Sequence, residues 1–153
     1  LGTTLSSDIE STFLPFGLNL PGSSLYIRKG QEAFRPGVDQ LPGTCMEYYM
    51  SDDGLAYLTA EGSALIAMRD TPLIYMGEMR HHPILLCDGK EENNARPVYS
   101  WLMNNTWETN FKMDLSGFGE YCYSLWLSDE TEPEQAMDAL QEYCFDPYVL
   151  VIE

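Results

Sequence analysis

The chain has 153 residues, enough for one domain with a substantial core, and 44% of them are hydrophobic with no long low-complexity tract, which excludes a disordered chain. Its 24 Asp plus Glu against 8 Lys plus Arg give a formal net charge of -16. Such a field repels phosphate backbones and anionic lipids, so nucleic acid and membrane surfaces are not expected partners, while neutral or cationic ligands stay open.

No run of about 18 apolar residues is present, so no transmembrane helix is expected, and no basic-then-apolar signal segment opens the chain. Cys45, Cys87, Cys122 and Cys144 are too widely spaced for a Cys-x-x-Cys motif; their even number leaves two disulfides arithmetically open, but a chain of this size does not need them, and the apolar surroundings suit reduced thiols and a cytoplasmic home. The start at Leu1 instead of Met suggests a mature or excised piece.

Residues 1–24 mix Ser, Thr, Gly and Pro around one aromatic cluster, Phe13-Leu14-Pro15-Phe16, and a strand interrupted by Pro15 belongs at a sheet edge. Leu25 to Arg28 reads as a short strand. Gly30 to Gly43, punctuated by Pro36-Gly37 and Pro42-Gly43, reads as a long loop. Cys45 to Met50 and Leu55 to Thr59 flank Ser51-Asp52-Asp53-Gly54, and Asp-Gly between two such runs predicts a hairpin.

Glu61-Gly62 marks another turn before a strand at Ala64 to Met68, and Leu73 to Met76 and Ile84 to Cys87 follow as strand candidates. Val98 to Met103 and Tyr121 to Leu127 are long apolar runs. In the second, Tyr121, Tyr123, Leu125 and Leu127 fall on one face and Cys122, Ser124 and Trp126 on the other, a pattern that suits a strand covered on both sides. Glu134 to Cys144 carries helical spacing through Ala136, Met137, Leu140 and Cys144, with Pro133 in the first turn. Tyr148 to Ile152 reads as a closing strand. Short strands at regular spacing with one late helix predict an all-β, two-layer antiparallel β-sandwich.

Between the two long apolar runs, Tyr99 to Phe111 changes from an aromatic strand into a polar loop holding Asn104, Asn105, Thr106, Trp107, Glu108, Thr109 and Asn110. Carboxamides donate and accept, and an indole offers a flat apolar face with one donor, so the loop suits sugar hydroxyls and the C–H faces of pyranose rings. The plainer alternative is that the Asn residues make turns and cap strand ends while Trp107 fills core. Trp101 and Trp126 lie inside strands and are expected in the core.

Other chemistry is thinly represented. His81 and His82 are adjacent, so on an extended segment they point apart and do not readily share a metal ion. Glycoside hydrolysis needs two carboxylates across a cleft, and Glu108, Asp114, Glu120 and Asp70 lie nearest the polar loop or a strand end without any spacing that pairs them. Nucleophile-elbow, phosphate-loop and dinucleotide motifs are absent.

Ser100-Trp-Leu-Met-Asn104-Asn105-Thr-Trp107-Glu-Thr109-Asn110 resembles the Asn-Asn-x-Trp-x-Thr-Asn signature of the C-terminal β-sandwich region of glycoside hydrolase family 38, the α-mannosidases. Phe13-Leu-Pro15-Phe16, Pro36-Gly37-Val-Asp39-Gln40-Leu-Pro42-Gly43 and Asp70-Thr-Pro72-Leu73 stand in the order that family would place them, so the resemblance spans almost the whole chain. After Asn110 the chain departs from many relatives, reading Phe111-Lys112-Met113-Asp114 where a Gln-Gly-Gly type turn is often seen.

The resemblance implies a sandwich of the galactose-mutarotase-like or supersandwich type over residues 1–153. It further implies that zinc or another divalent metal and the catalytic aspartates belong to an N-terminal catalytic domain of the same protein, which this chain lacks. On that basis the chain is expected to be inactive alone, to hold no cofactor, and to wall a mannoside site with Asn104, Asn105, Trp107, Thr109 and Asn110. A stand-alone carbohydrate-binding module and a purely structural docking domain are the alternatives.

Overall fold

The computed structural model describes residues 2–5, 10–18, 20–79, 83–88, 97–106 and 114–145. Its elements are β1 (Gly2–Leu5), β2 (Ser11–Phe16), β3 (Ser24–Lys29), β4 (Glu32–Phe34), β5 (Tyr48–Met50), β6 (Gly54–Thr59), β7 (Gly62–Met68), β8 (Leu73–Met76), β9 (Val98–Asn104), β10 (Gly117–Glu120), β11 (Tyr123–Ser128) and α1 (Pro133–Cys144). One antiparallel sheet has the order β2-β9-β8-β5 and the other β11-β7-β6-β3-β4, while β1 and β10 pair as a separate ribbon. The described residues form an all-β sandwich with one helix laid outside it.

Alternation in the central strands builds both sides of the five-stranded sheet. Leu25, Ile27, Leu55, Tyr57 and Ile66 point inward against Ile74, Met76, Val98 and Tyr49 of the four-stranded sheet. Ala56, Leu58, Leu65 and Ala67 point outward against Ala136, Met137, Leu140 and Cys144 of α1. Strands apolar on both faces are those covered on both faces. Each fully buried Leu or Ile contributes roughly 1.5–3 kcal/mol relative to exposure.

The helix begins at Pro133, whose missing N–H costs nothing in the first turn, and Ala136 N–H donates to the carbonyl of Glu132 at 3.1 Å. Its buried stripe at 136, 137, 140 and 144 follows the helical period. Glu134 ties it to the sheet by accepting from Ala33 N–H at 2.9 Å. Arg28 supplies the second tie: its Nε stands 2.8 Å from Asp53 Oδ2 and its Nη2 donates to Asp138 Oδ1 at 2.7 Å. Cys144 Sγ donates to the Asp53 carbonyl at 3.1 Å, closing the same corner.

Several expectations need correction. The proposed loop from Gly30 to Gly43 contains β4, because Gly30 at φ +65° lets the chain turn back onto β3. Asp53-Gly54 is no hairpin: β5 pairs with β8, and β6 pairs with β3 and β7, so this turn carries the chain between sheets. Gly54 has φ +149°, and a Cβ there would lie 2.0 Å from the Ile66 carbonyl oxygen. Of Ile84 to Cys87 only Leu86 forms a bridge, to Cys45. Two-sided cover belongs to β6 and β7, whereas β11 is an edge strand with Leu125 and Leu127 exposed. Trp101 and Trp126 are half-buried instead of lying in the core. The edge position of the Pro15 strand, the β6–β7 turn at Glu61-Gly62 and the helix agree with the sequence reading. Tyr148 to Ile152 lies outside the described residues.

No helix among the described residues is long and apolar enough to cross a membrane. All four cysteines are free thiols, with Cys87 and Cys144 buried and Cys122 exposed.

Candidate functional site

The polar loop grows from the end of β9, where β2 runs antiparallel beside it with a bulge between Thr12 and Phe13. Asn104 Oδ1 accepts from Ser11 Oγ at 2.9 Å, from Thr106 N–H at 2.9 Å and from Thr106 Oγ1. A carboxamide oxygen bonded two residues onward is an Asx turn, which bends the chain out of the strand. Asn105 N–H donates to the Glu10 carbonyl at 2.8 Å, and the residue is only 3% exposed. Both asparagines thus fix the root of the loop. Trp107, Thr109 and Asn110, together with Glu108, lie outside the described residues.

Behind the loop root, the Ser100 hydroxyl stands 2.8 Å from the Tyr123 hydroxyl and donates to Thr71 Oγ1 at 3.1 Å, and Thr71 Oγ1 donates to Tyr123 OH at 3.0 Å. This buried triangle joins the start of β9 to the segment Asp70-Thr71-Pro72-Leu73 and to β11. Asp70 Oδ2 accepts from Cys122 N–H at 2.7 Å. The Pro36-to-Gly43 segment is also closed on itself. Gln40 Oε1 accepts from Gly37 N–H and Tyr49 OH, each at 2.7 Å, while its Nε2 donates to Thr44 Oγ1 and the Cys45 carbonyl.

Of the candidate carboxylates that are described, two are bonded to backbone N–H groups and one is exposed. Asp70 holds Cys122, Asp114 accepts from Ser116 N–H at 2.9 Å, and Glu120 is exposed on β10. Among the described residues no group of three His, Cys, Asp or Glu could hold a metal ion; His81 and His82 lie outside them.

The outer face of the four-stranded sheet carries a feature that sequence reasoning missed. Tyr48, Tyr75 and Tyr99 lie in register across β5, β8 and β9, and Phe13 of β2 lies opposite Trp101. Phe13 stacks on Trp101 at 5.3 Å between centroids and 21° between planes, and Tyr48 contacts both Trp101 and Tyr75 at 5.4 and 5.3 Å. Tyr75 donates to the Glu78 carbonyl and Trp101 Nε1 to that of Met103, so their polar atoms are engaged; Tyr75 is buried beneath its neighbours, and exposed Tyr48 and half-buried Trp101 supply accessible ring surface. Burial, then Glu47 and Cys45, hold the Tyr48 phenol above its ordinary value. Beyond Tyr48 the cross-strand pair Met50 and Leu73 is exposed, extending the apolar area to the sheet edge. Period-2 spacing of Tyr48 with Met50 and of Tyr99 with Trp101 was the available signal.

No family model matches the chain, and neither a curated protein nor a solved structure matches it.

Proposed function

We propose that this chain is an accessory β-sandwich domain of an α-mannosidase-like glycoside hydrolase, inactive alone. One observation supports the reading above others: segments far apart in sequence that carry the resemblance are bonded to each other. Phe13 of the Phe-Leu-Pro-Phe stretch pairs with Trp101 of the stretch from Ser100 to Asn110, and Ser11, two residues before the first stretch, donates to Asn104. Thr71 of the Asp-x-Pro-Leu stretch bonds Ser100 at the other end of β9. A rigid root of this kind suits a loop that must be held against a substrate in another domain.

In this reading Asn104 and Asn105 position the loop, Trp107, Thr109 and Asn110 face the mannoside, and the aromatic face of the four-stranded sheet packs on the catalytic domain. The family resemblance assigns zinc and an aspartate nucleophile for retaining hydrolysis to that domain. The test is the intact mass of the native gene product, captured by antibody and weighed. A mass several times that of 153 residues, with α-mannosidase activity that Asn105→Ala lowers in the intact protein, is expected. A mass near that of 153 residues would overturn the proposal.

A stand-alone carbohydrate-binding module is the second reading, favoured by the same aromatic face, since sugar C–H faces stack on such rings. Mannose oligosaccharides would then shift tryptophan emission of the isolated chain, and Trp101→Ala would abolish the shift. Under the accessory reading the isolated chain gives none.

A further inference from the structure

β11 closes one side of the five-stranded sheet. It pairs with β7 from Tyr123↔Met68 to Ser128↔Ser63 without a bulge, and among the described residues no strand pairs with its other edge. Exposed edges are normally blunted by lysine, proline or a bulge, because unpaired N–H and C=O groups template further pairing. Tyr-Ser-Leu-Trp-Leu-Ser has no charge and no proline. Leu125 and Leu127 are 57% and 79% exposed although they lie opposite Ile66 and Ala64, whose side chains belong to the core between the sheets. The inter-sheet face therefore continues past the point where the four-stranded sheet covers it. A cleft of about 290 Å³ opens there, lined by Leu20, Tyr57, Ala64 and Leu127, with Glu61 and Asp129 also in its wall.

An unpaired backbone edge beside an apolar cleft is the geometry of strand addition, in which main-chain bonds give affinity and alternate side chains enter pockets. Charge selects the occupant. No Lys or Arg lines the cleft, Glu120 precedes β11, and Asp129, Glu130 and Glu132 follow it. A second copy pairing antiparallel would set these acids against each other on top of a net charge of -16 per chain. We propose that β11 is a strand-addition site for an extended segment of another protein, apolar at every second position and ending in Lys or Arg at the Glu61 and Asp129 end. This inference stands apart from the mannosidase reading.

The probe is a short blocked synthetic peptide alternating Val and Thr and ending in two lysines, titrated into the whole chain while the backbone amide resonances of residues 123–128 are followed by NMR. Saturable shifts confined to β11 and its neighbours are expected. Leu127→Lys, at a position open enough to keep the fold, should weaken binding at least about tenfold. Asp129→Lys should weaken it about threefold and flatten its salt dependence. A peptide of the same length with prolines at the Thr positions should not bind. The proposal fails if amides 123–128 do not move at millimolar peptide, if the proline peptide binds as well, or if Leu127→Lys binds like wild type. It fails equally if the chain dimerises through β11, shown by a concentration-dependent mass that Leu127→Lys abolishes.

Discussion

Replacing Arg28 by Met removes the cation from the most enclosed of the ion pairs seen among the described residues. Arg28 and Asp53 side chains are 5% and 1% exposed, with Nε and Oδ2 2.8 Å apart but not aligned as a hydrogen bond, and Asp53 Oδ1 has no hydrogen-bond partner among the described residues. Met keeps the apolar stem, so the loss is electrostatic: Asp53 is left as a buried carboxylate, which costs about 3–5 kcal/mol. Asp138 is 67% exposed on its side of the contact, so Asp138→Ala should cost less than about 1 kcal/mol.

Burial already raises the Asp53 carboxyl above 3.8, with Arg28 opposing the rise and Asp52 and Asp138 adding to it. In the window above 3.8 the native state holds this proton more tightly than the unfolded chain, so the contribution of Asp53 to stability falls as pH rises and is lowest at neutral pH. Without Arg28 that window widens upward. The penalty of Arg28→Met should therefore be complete near pH 7, shrink on acidification and vanish below 3.8, read as the difference between mutant and wild-type urea unfolding at each pH. Adding Asp53→Asn should recover most of it. A penalty under about 1 kcal/mol at neutral pH, or one equally large in acid, would refute the account.

Gly54→Ala should cost about 3 kcal/mol or more in the same assay, since a Cβ would stand 2.0 Å from a backbone oxygen at φ +149°; a loss below 1 kcal/mol would show that the turn can relax. Burial pushes the Tyr57 phenol up to about 12 from 10.0. The unfolded chain then loses that proton first, so stability should fall as pH rises from 10 towards 12 and Tyr57→Phe should flatten the fall; equal alkaline slopes in both proteins would contradict this. With a thiol reagent in excess, Cys122 should react first, while Cys87 and Cys144, whose Sγ atoms donate to the carbonyls of Gly37 and Asp53, wait for local opening. Four thiols reacting at one rate would count against the burial described.

Elements with a local signal were readable from the sequence. The stripe at 136, 137, 140 and 144 after Pro133 announces the helix, and Glu61-Gly62 between two apolar runs announces the β6–β7 hairpin. Membership of sheets was not readable, because it is decided by distant partners. Asp53-Gly54 has hairpin composition, yet Arg28 draws the Asp53 carboxylate inward and Gly54 admits the backbone of Ile66, so the chain crosses to the other sheet. For the same reason the alternation in residues 121–127 could announce a strand but not its place at the edge. β1 and β10 were missed because Gly-Thr-Thr-Leu and Gly-Phe-Gly-Glu carry little apolar alternation of their own.

The candidate site divides along the same line. A cluster of Asn and Thr after β9 marks a specialised loop, but residue type alone does not separate a carboxamide that meets a ligand from one that shapes the chain. The structure shows what holds the two at the root of the loop: the Asn104 oxygen has three donors, and Asn105 is buried with its N–H bonded to the Glu10 carbonyl. The aromatic face was harder still to read, since its five rings come from four strands and become one surface only through the register that sets Tyr48 beside Tyr75 beside Tyr99. On the proposed reading, a loop turned to sugar and a face docked on the catalytic domain would make separable demands on this chain: Asn105→Ala should disturb the first through its root, and Trp101→Ala should disturb the second while the Asn104 turn persists.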